Sequence, residues 1–315
     1  MILGGDLGGT KTLLALAEID SDGLRIIREQ RYASQAYSSF DDLLADFLAD
    51  APSIASACFG LAGPTDGHIA KLTYLPWQLS GEALKSRFKL NSVSLANDFA
   101  AAANGLALVG PDNLQTLQRG QAIAQAPRII LGAGTGLGVA GMVWDGGRYK
   151  VIPGEGGHLG FSPQTPEQGE LWRWLLAQGE RVTTEDVVSG PGLEKIYAFL
   201  GGQPEQAEEI GNTALNNSNP LAKQAVELWL SCFGAFAGDL ALHWLAHGGV
   251  YIAGGIAAKL MPHFGHEIFI NAFNAKREHR NIAENMPVQL VTEQRLGLLG
   301  ALVLAAHHGE IHALN

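Results

Sequence analysis

"MILGGDLGGTKTLLALAEID" (Met1–Asp20) and, far downstream, "IILGAGTGLGVAGMVW" (Ile129–Trp144) follow one plan. In each, an apolar run breaks at a turn rich in glycine and threonine, and a second apolar run follows. That reads as strand, tight turn, strand. Propensity alone also allows a helix over Thr12–Ile19. Ile2-Leu3-Gly4 lines up with Ile130-Leu131-Gly132, 128 positions on. This spacing is too long for a solenoid repeat and fits equivalent hairpins opening two similar halves. A third strand is expected beyond Asp145-Gly146-Gly147.

Outward from the hairpins, strands alternate with helices. "FDDLLADFLAD" (Phe40–Asp50) has helical periodicity. "SIASACFGLAGP" (Ser53–Pro64) reads as a buried strand ending in a glycine loop. Helices are expected over Glu167–Leu176, Leu193–Leu200 and Pro220–His247, and a final one over Leu296–His307. "GGVYIAGGIAAKL" (Gly248–Leu260) reads as strand, double-glycine turn, helix, and Met286–Gln294 as a late strand. This alternation means an α/β fold.

The chain has 315 residues, enough for one large or two ordinary domains. It is 47% apolar and 17% charged, a globular composition. Net charge is −10 without a Lys/Arg block, which argues against a nucleic-acid surface. The start carries no basic region of the signal-peptide kind, and the apolar run Leu296–Ala306 is too short to span a bilayer. A cytoplasmic enzyme that engages no membrane is the expectation. Cys58 and Cys232 lie in apolar surroundings, far apart and outside any CxxC pair, and read as two buried thiols.

Neither glycine turn is a standard nucleotide motif. In "GGDLGGTKT", Lys11 does not directly follow the closing glycine, so it is not a Walker A loop. "GAGTGLGV" fails the G-x-G-x-x-G spacing. Each turn can still aim several N–H groups and a Thr hydroxyl at one anion. Asp6, beside the first turn, is placed to hold Mg²⁺ through water. "SLANDFAAAA" (Ser94–Ala103) passes from an apolar run through Asn97-Asp98 into small helix formers. That pair suits a helix cap and suits a substrate contact.

Taken in order, "GGDLGGTK", "NDF", "GAGTGLGV", "PGEGGHLGF", "SGPGL" and "GGVYIAGGI" resemble the bacterial glucokinase family over nearly the whole chain. The resemblance implies the actin/hexokinase-like (ribonuclease H-like) fold, two duplicated α/β domains around a central cleft. It implies a smaller domain of residues 1–107 plus 296–315 and a larger one of residues 108–295. It implies phosphate transfer from ATP to the 6-hydroxyl of glucose, with Mg²⁺, by a homodimer. Related repressor/kinases carry a cysteine-rich zinc motif near their catalytic His. No cysteine lies near His158, so this chain resembles the zinc-free members. Repressors of that group also carry a DNA-binding module before the kinase part, and here the first glycine loop begins at Gly4.

Residue by residue, the resemblance puts Asn97 and Asp98 on the sugar, with Asp98 as catalytic base. It adds Glu155, His158 and Glu185 to the sugar contacts. Gly8, Gly9, Thr10, Gly134, Thr135 and Gly136 fall on the ATP phosphates, and Gly254 and Gly255 against the nucleotide. Lys11 departs from the Asn common in the closest glucokinases, which leaves a kinase for mannose, fructose or an N-acetylhexosamine as the alternative. A non-catalytic sugar sensor is the alternative of another class.

The chemistry suits these residue types. A primary alcohol needs a proton acceptor as it attacks phosphorus, and a carboxylate supplies one. On the "PGEGGHLGF" loop, Glu155 can accept from two sugar hydroxyls, while a neutral His158 donates or accepts. Glu185, in "TTEDVVSGPGL", also suits the N-terminus of a short helix capped by Thr183 or Thr184.

Overall fold

The computed structural model describes residues 1–20, 23–63, 65–72, 75–179 and 181–313, with side chains as far as 307. The chain forms two compact units. The first joins Met1–Gly110 to Glu293–Asn315; the second is Pro111–Thr292.

The first unit is built on strands β1 (Ile2–Leu7), β2 (Lys11–Asp20), β3 (Gly23–Ala33) and β4 (Ser56–Leu61). A short hairpin, β5 (Ile69–Lys71) with β6 (Gln78–Ser80), precedes the last strand, β7 (Ser92–Asn97). The sheet order is β3-β2-β1-β4-β7, antiparallel from β3 to β1 and parallel from β1 to β7. Thr12–Ala17 is wholly buried, so no amphipathic face develops and the stretch is an inner strand rather than a helix.

Helices α1 (Phe40–Phe47), α2 (Gly81–Phe88) and α3 (Asp98–Gly105) complete this unit with the C-terminal helix, Leu296–Ala313. Two apolar clusters stabilise the sheet. One gathers Leu3, Leu14, Phe40, Phe47, Phe59 and Trp77; in it Phe59 and Trp77 pack on the Phe40 ring. The other sets Leu13, Ala15 and Cys58 against Leu298, Ala301 and Leu302 of the C-terminal helix. Helix α3 lies backbone to backbone against that helix. A Cβ on Gly105 would strike the Leu296 carbonyl, and one on Gly300 the Ala101 carbonyl.

The second unit repeats the plan. Its strands are β8 (Leu114–Gln118), β9 (Arg128–Ala133), β10 (Leu137–Trp144), β11 (Tyr149–Gly154), β12 (Gly249–Ala253) and β13 (Val288–Val291). Their order is β11-β10-β9-β12-β13-β8. The β11-β10-β9 meander and the parallel β12 and β13 match β3-β2-β1-β4-β7 strand for strand, and β8 is an added antiparallel edge. The third strand expected after Gly147 is β11.

Helices α4 (Pro166–Leu176), α5 (Gly190–Phe199), α6 (Ala207–Leu215) and α7 (Pro220–Trp244) follow the meander. Then come α8 (Gly255–Phe264), α9 (Glu267–Asn274) and α10 (Arg280–Glu284). Helix α7 is long and apolar enough to cross a membrane by length and composition, but 72% of its most apolar window is buried inside the protein. Trp229 and Phe233 of α7 meet Phe269 and Phe273 of α9 in the core. Both cysteines are free and buried, and burial pushes the Cys58 thiol up to about 11.

Candidate active site

The β1–β2 register sets Leu7 opposite Thr12, which leaves Gly8, Gly9, Thr10 and Lys11 to make the turn. The Gly8 N–H donates to the Lys11 carbonyl at 3.0 Å. Two buried residues outside the motif brace the turn. The Ser34 N–H donates to the Thr10 carbonyl at 3.0 Å, and its Oγ donates to the Gly8 carbonyl at 2.8 Å. That Oγ also lies 3.0 Å from Thr12 Oγ1. The Gly8, Thr10 and Lys11 carbonyls are thereby engaged, while the Gly9 and Thr10 N–H groups have no partner among the described residues. Such a turn is a ready anion cradle.

Asp98 is the first residue of α3. Asn97 Oδ1 caps the helix, accepting from the Phe99 and Ala100 N–H groups at 3.0 and 3.1 Å. Its Nδ2 has no partner among the described residues. Capping therefore occupies one end of the amide and leaves the other able to donate to a ligand. Asp98 Oδ1 also accepts from the Phe99 N–H, at 2.8 Å.

Asp6, at the end of β1, feels the charge of Asp98. Burial first, and then Asp98, raise its carboxyl from the usual 3.8 to about 6, against the opposing pull of Lys11. The start of the C-terminal helix lies over it: a Cβ on Gly297 would be 2.8 Å from Asp6 Oδ2. Two carboxylates in one site disfavour double ionisation unless a cation joins them. No group of three or more His, Cys, Asp or Glu side chains suited to a metal occurs among the described residues.

In the second unit the turn between β9 and β10 closes through Gly134 N–H to the Gly136 carbonyl at 2.8 Å. The Thr135 and Gly136 N–H groups have no partner among the described residues. Two helix N-termini meet this turn. The Gly190 N–H at the start of α5 donates to the Gly134 carbonyl at 2.8 Å. Gly254 precedes α8 at φ 95°, a backbone only glycine adopts easily, and a Cβ there would strike the Ala133 carbonyl. Gly134 and Gly255 both face open space. Unpaired N–H groups of a turn and two helix starts favour an anion.

The Glu155–His158 loop follows β11. A short 3₁₀ turn, Gly156–His158, holds it, and both side chains are exposed. A Cβ on Gly157 would strike the Leu137 carbonyl, so this loop lies directly on the start of β10.

Glu185 lies at the junction of these parts. It is not at a helix start: Thr183 Oγ1 instead donates to Asp186 Oδ2 at 2.7 Å inside a tight turn. Glu185 N–H donates to the Gly157 carbonyl at 2.9 Å. Its Oε2 accepts from the Leu137 N–H at 2.7 Å. Ser189 Oγ donates to the Glu185 carbonyl at 2.7 Å and caps α5 by accepting from Gly192 N–H.

Within the first unit the structure thus brings Asp6, Asp98, Asn97 and the turn at Gly8–Thr10 to the C-terminal ends of β1 and β7. Within the second it brings the turn at Gly134–Gly136, Gly254–Gly255, the Glu155–His158 loop and Glu185 to one end of that sheet. Ser34, Thr12, Ser189 and Gly297 escape a reading of the sequence. Ser189 carries a signal, a serine just before glycine and proline, which suits a helix cap.

A family model described as "Glucokinase" matches residues 3–308. A glucokinase of Nostoc sp. is 38% identical, covering 97% of this chain and 99% of its own length. The crystal structure of a glucokinase from an Antarctic psychrotroph superposes with a TM-score of 0.89 at 27% identity, over 97% of this chain and 98% of that one. A glucokinase of Balamuthia mandrillaris, solved in complex with glucose, has a TM-score of 0.81 at 24% identity, over 97% and 93%.

Proposed function

The chain belongs to the glucokinase family and carries out ATP-dependent phosphorylation of glucose, and we propose how its residues divide that work. Asp98 is the base. As the sugar's 6-oxygen bonds to the γ-phosphorus, its proton passes to the Asp98 carboxylate. The bond from phosphorus to the bridging oxygen breaks, and ADP leaves with that electron pair. The observation that carries this role is Asp98 at the head of α3, capped by Asn97 and next to a second carboxylate, Asp6.

The remaining residues bind and orient. The Asn97 amide N–H, Glu155, His158 and Glu185 hold the other sugar hydroxyls. Gly8, Gly9 and Thr10 take one part of the triphosphate; Gly134, Thr135 and Gly136 take another. Gly254 and Gly255 let the nucleotide approach the start of α8 closely.

Asp6 fits Mg²⁺ held through water. A single buried carboxylate facing another supplies negative charge without a full ligand shell, which suits an ion that keeps waters and phosphate oxygens. Bound there, Mg²⁺ would offset charge on the phosphates. The same reading gives a cytoplasmic homodimer whose partners are ATP and glucose, with no nucleic acid or membrane. Sedimentation at micromolar protein tests the dimer.

The decisive experiment follows ADP release from MgATP with glucose and a panel of hexoses, for the wild type and Asp98→Asn. Glucose-dependent release that falls at least ~100-fold in the variant, with glucose binding retained, is expected. Near-normal turnover in the variant removes Asp98 as base. A preference for another hexose keeps the mechanism and changes the substrate.

A further inference from the structure

Glu185 touches three parts of the second unit at once. Its backbone N–H holds the Gly157 carbonyl of the Glu155–His158 loop, and its own carbonyl takes the Ser189 hydroxyl that caps α5. One carboxylate oxygen, Oε2, takes the Leu137 N–H, the first donor after the Gly134–Gly136 turn. The fit is close: a Cβ on Gly136 would lie 2.5 Å from Oε2. The other oxygen, Oε1, has no hydrogen-bond partner among the described residues. A carboxylate with one oxygen committed to the phosphate turn and one open is a lever with two ends.

We propose that Glu185 is a positioning residue that couples sugar occupancy to the shape of the Gly134–Gly136 turn. This rests on the reading that the turn holds phosphate and that Glu185 faces the sugar. A sugar hydroxyl donating to Oε1 restrains the carboxylate. The restrained Oε2 then fixes the Leu137 N–H, and with it the direction of the Thr135 and Gly136 N–H groups. Ordering made by the first ligand need not be made again by the second, so sugar tightens nucleotide binding. By linkage, nucleotide tightens sugar binding by the same factor.

The test is calorimetric titration of the full-length protein with the magnesium complex of a non-hydrolysable ATP analogue, with and without saturating glucose. In the wild type, glucose is expected to lower the nucleotide Kd about fivefold or more. In Glu185→Gln this ratio is expected to fall below about twofold, while the sugar-free nucleotide Kd stays within about twofold of the wild type. A purely structural role weakens nucleotide binding equally in both conditions and overturns the proposal. So does a pure sugar contact, which raises the glucose Kd but leaves the ratio intact at saturation.

A second measurement needs no variant. Hydrogen exchange at the Leu137 amide of the wild type should slow on adding glucose alone, and unchanged exchange overturns the proposal. Glucose-dependent ADP release by the wild type, measured in parallel, separates the two failures. Its absence sinks the kinase reading, whereas its presence without coupling sinks the role of Glu185 alone.

Discussion

Replacing Asp6 with Asn should make the metal-free protein more stable and less active at once. The Asp6 carboxyl is raised from 3.8 to about 6, by burial and then by Asp98. Between those two pH values the folded state binds a proton that the unfolded state has already released. Folding stability therefore falls as pH rises through that window, and the loss is complete above pH 6. A rise of this size is worth ~3 kcal/mol. The asparagine side chain has nearly the same shape and carries no charge, so the Asp6→Asn variant escapes that loss. Urea unfolding in EDTA should give similar stabilities near pH 4 and a gap of ~3 kcal/mol in favour of the variant at pH 8. The variant should lose turnover, because the carboxylate proposed to orient hydrated Mg²⁺ is gone. A gap of equal size at pH 4 and pH 8, or a wild type more stable at pH 8, would refute the reasoning.

Three further outcomes can be checked. Lys276 is 4% exposed and bonds Asp239 Oδ1 at 2.6 Å and the Ala235 carbonyl at 2.8 Å, whereas the Asp239 side chain is 45% exposed. Asp239→Ala strands a buried ammonium and should cost ~3 kcal/mol, while Lys276→Met leaves a carboxylate that water can reach and should cost less than half of that; equal losses in urea midpoints would contradict this account. Ser34→Ala removes the hydroxyl that holds the Gly8 carbonyl, worth ~1 kcal/mol, so KM for ATP should rise about fivefold with KM for glucose unchanged. Glu155→Gln and His158→Ala should each raise KM for glucose and leave KM for ATP alone, because each leaves sugar hydroxyls unpaired; an unchanged KM for glucose in both removes the pair from the sugar site.

The duplicated sheets were legible because glycine turns between apolar runs are a local signal, and each hairpin carries its own. The helical alternative over Thr12–Ile19 fails for a reason that no local window contains: neighbours cover both faces of β2. Periodicity puts the start of α5 at Leu193, whereas the helix begins three residues earlier, at Gly190. "SGPG" has the look of a loop, yet Ser189 caps the helix and proline is tolerated in its first turn. Read from sequence, Glu185 suits a helix N-terminus as well as a sugar contact, whereas Thr183 and Asp186 close a separate turn that ends before α5 begins at Gly190. Ser34 could not be found at all. It meets the first turn only because the β2–β3 register sets Lys11 opposite Ala33, a fact of pairing rather than of spacing.

The C-terminal helix has a temporal meaning. Residues 1–110 hold every strand of the first unit, together with Asp6 and Asp98, yet that unit closes only with a helix that begins at Leu296. Ser56 Oγ on β4 waits for the Ala305 carbonyl at 2.7 Å, and Ala101 of α3 for the bare backbone of Gly300. During synthesis the proposed base is therefore made early and seated last. A ribosome that stops between Leu137 and Leu296 releases a chain with both glycine turns and Asp98 but no completed first unit. Such a fragment would expose the apolar faces of Leu13, Ala15 and Cys58 to quality control until the helix from Leu296 is made to cover them.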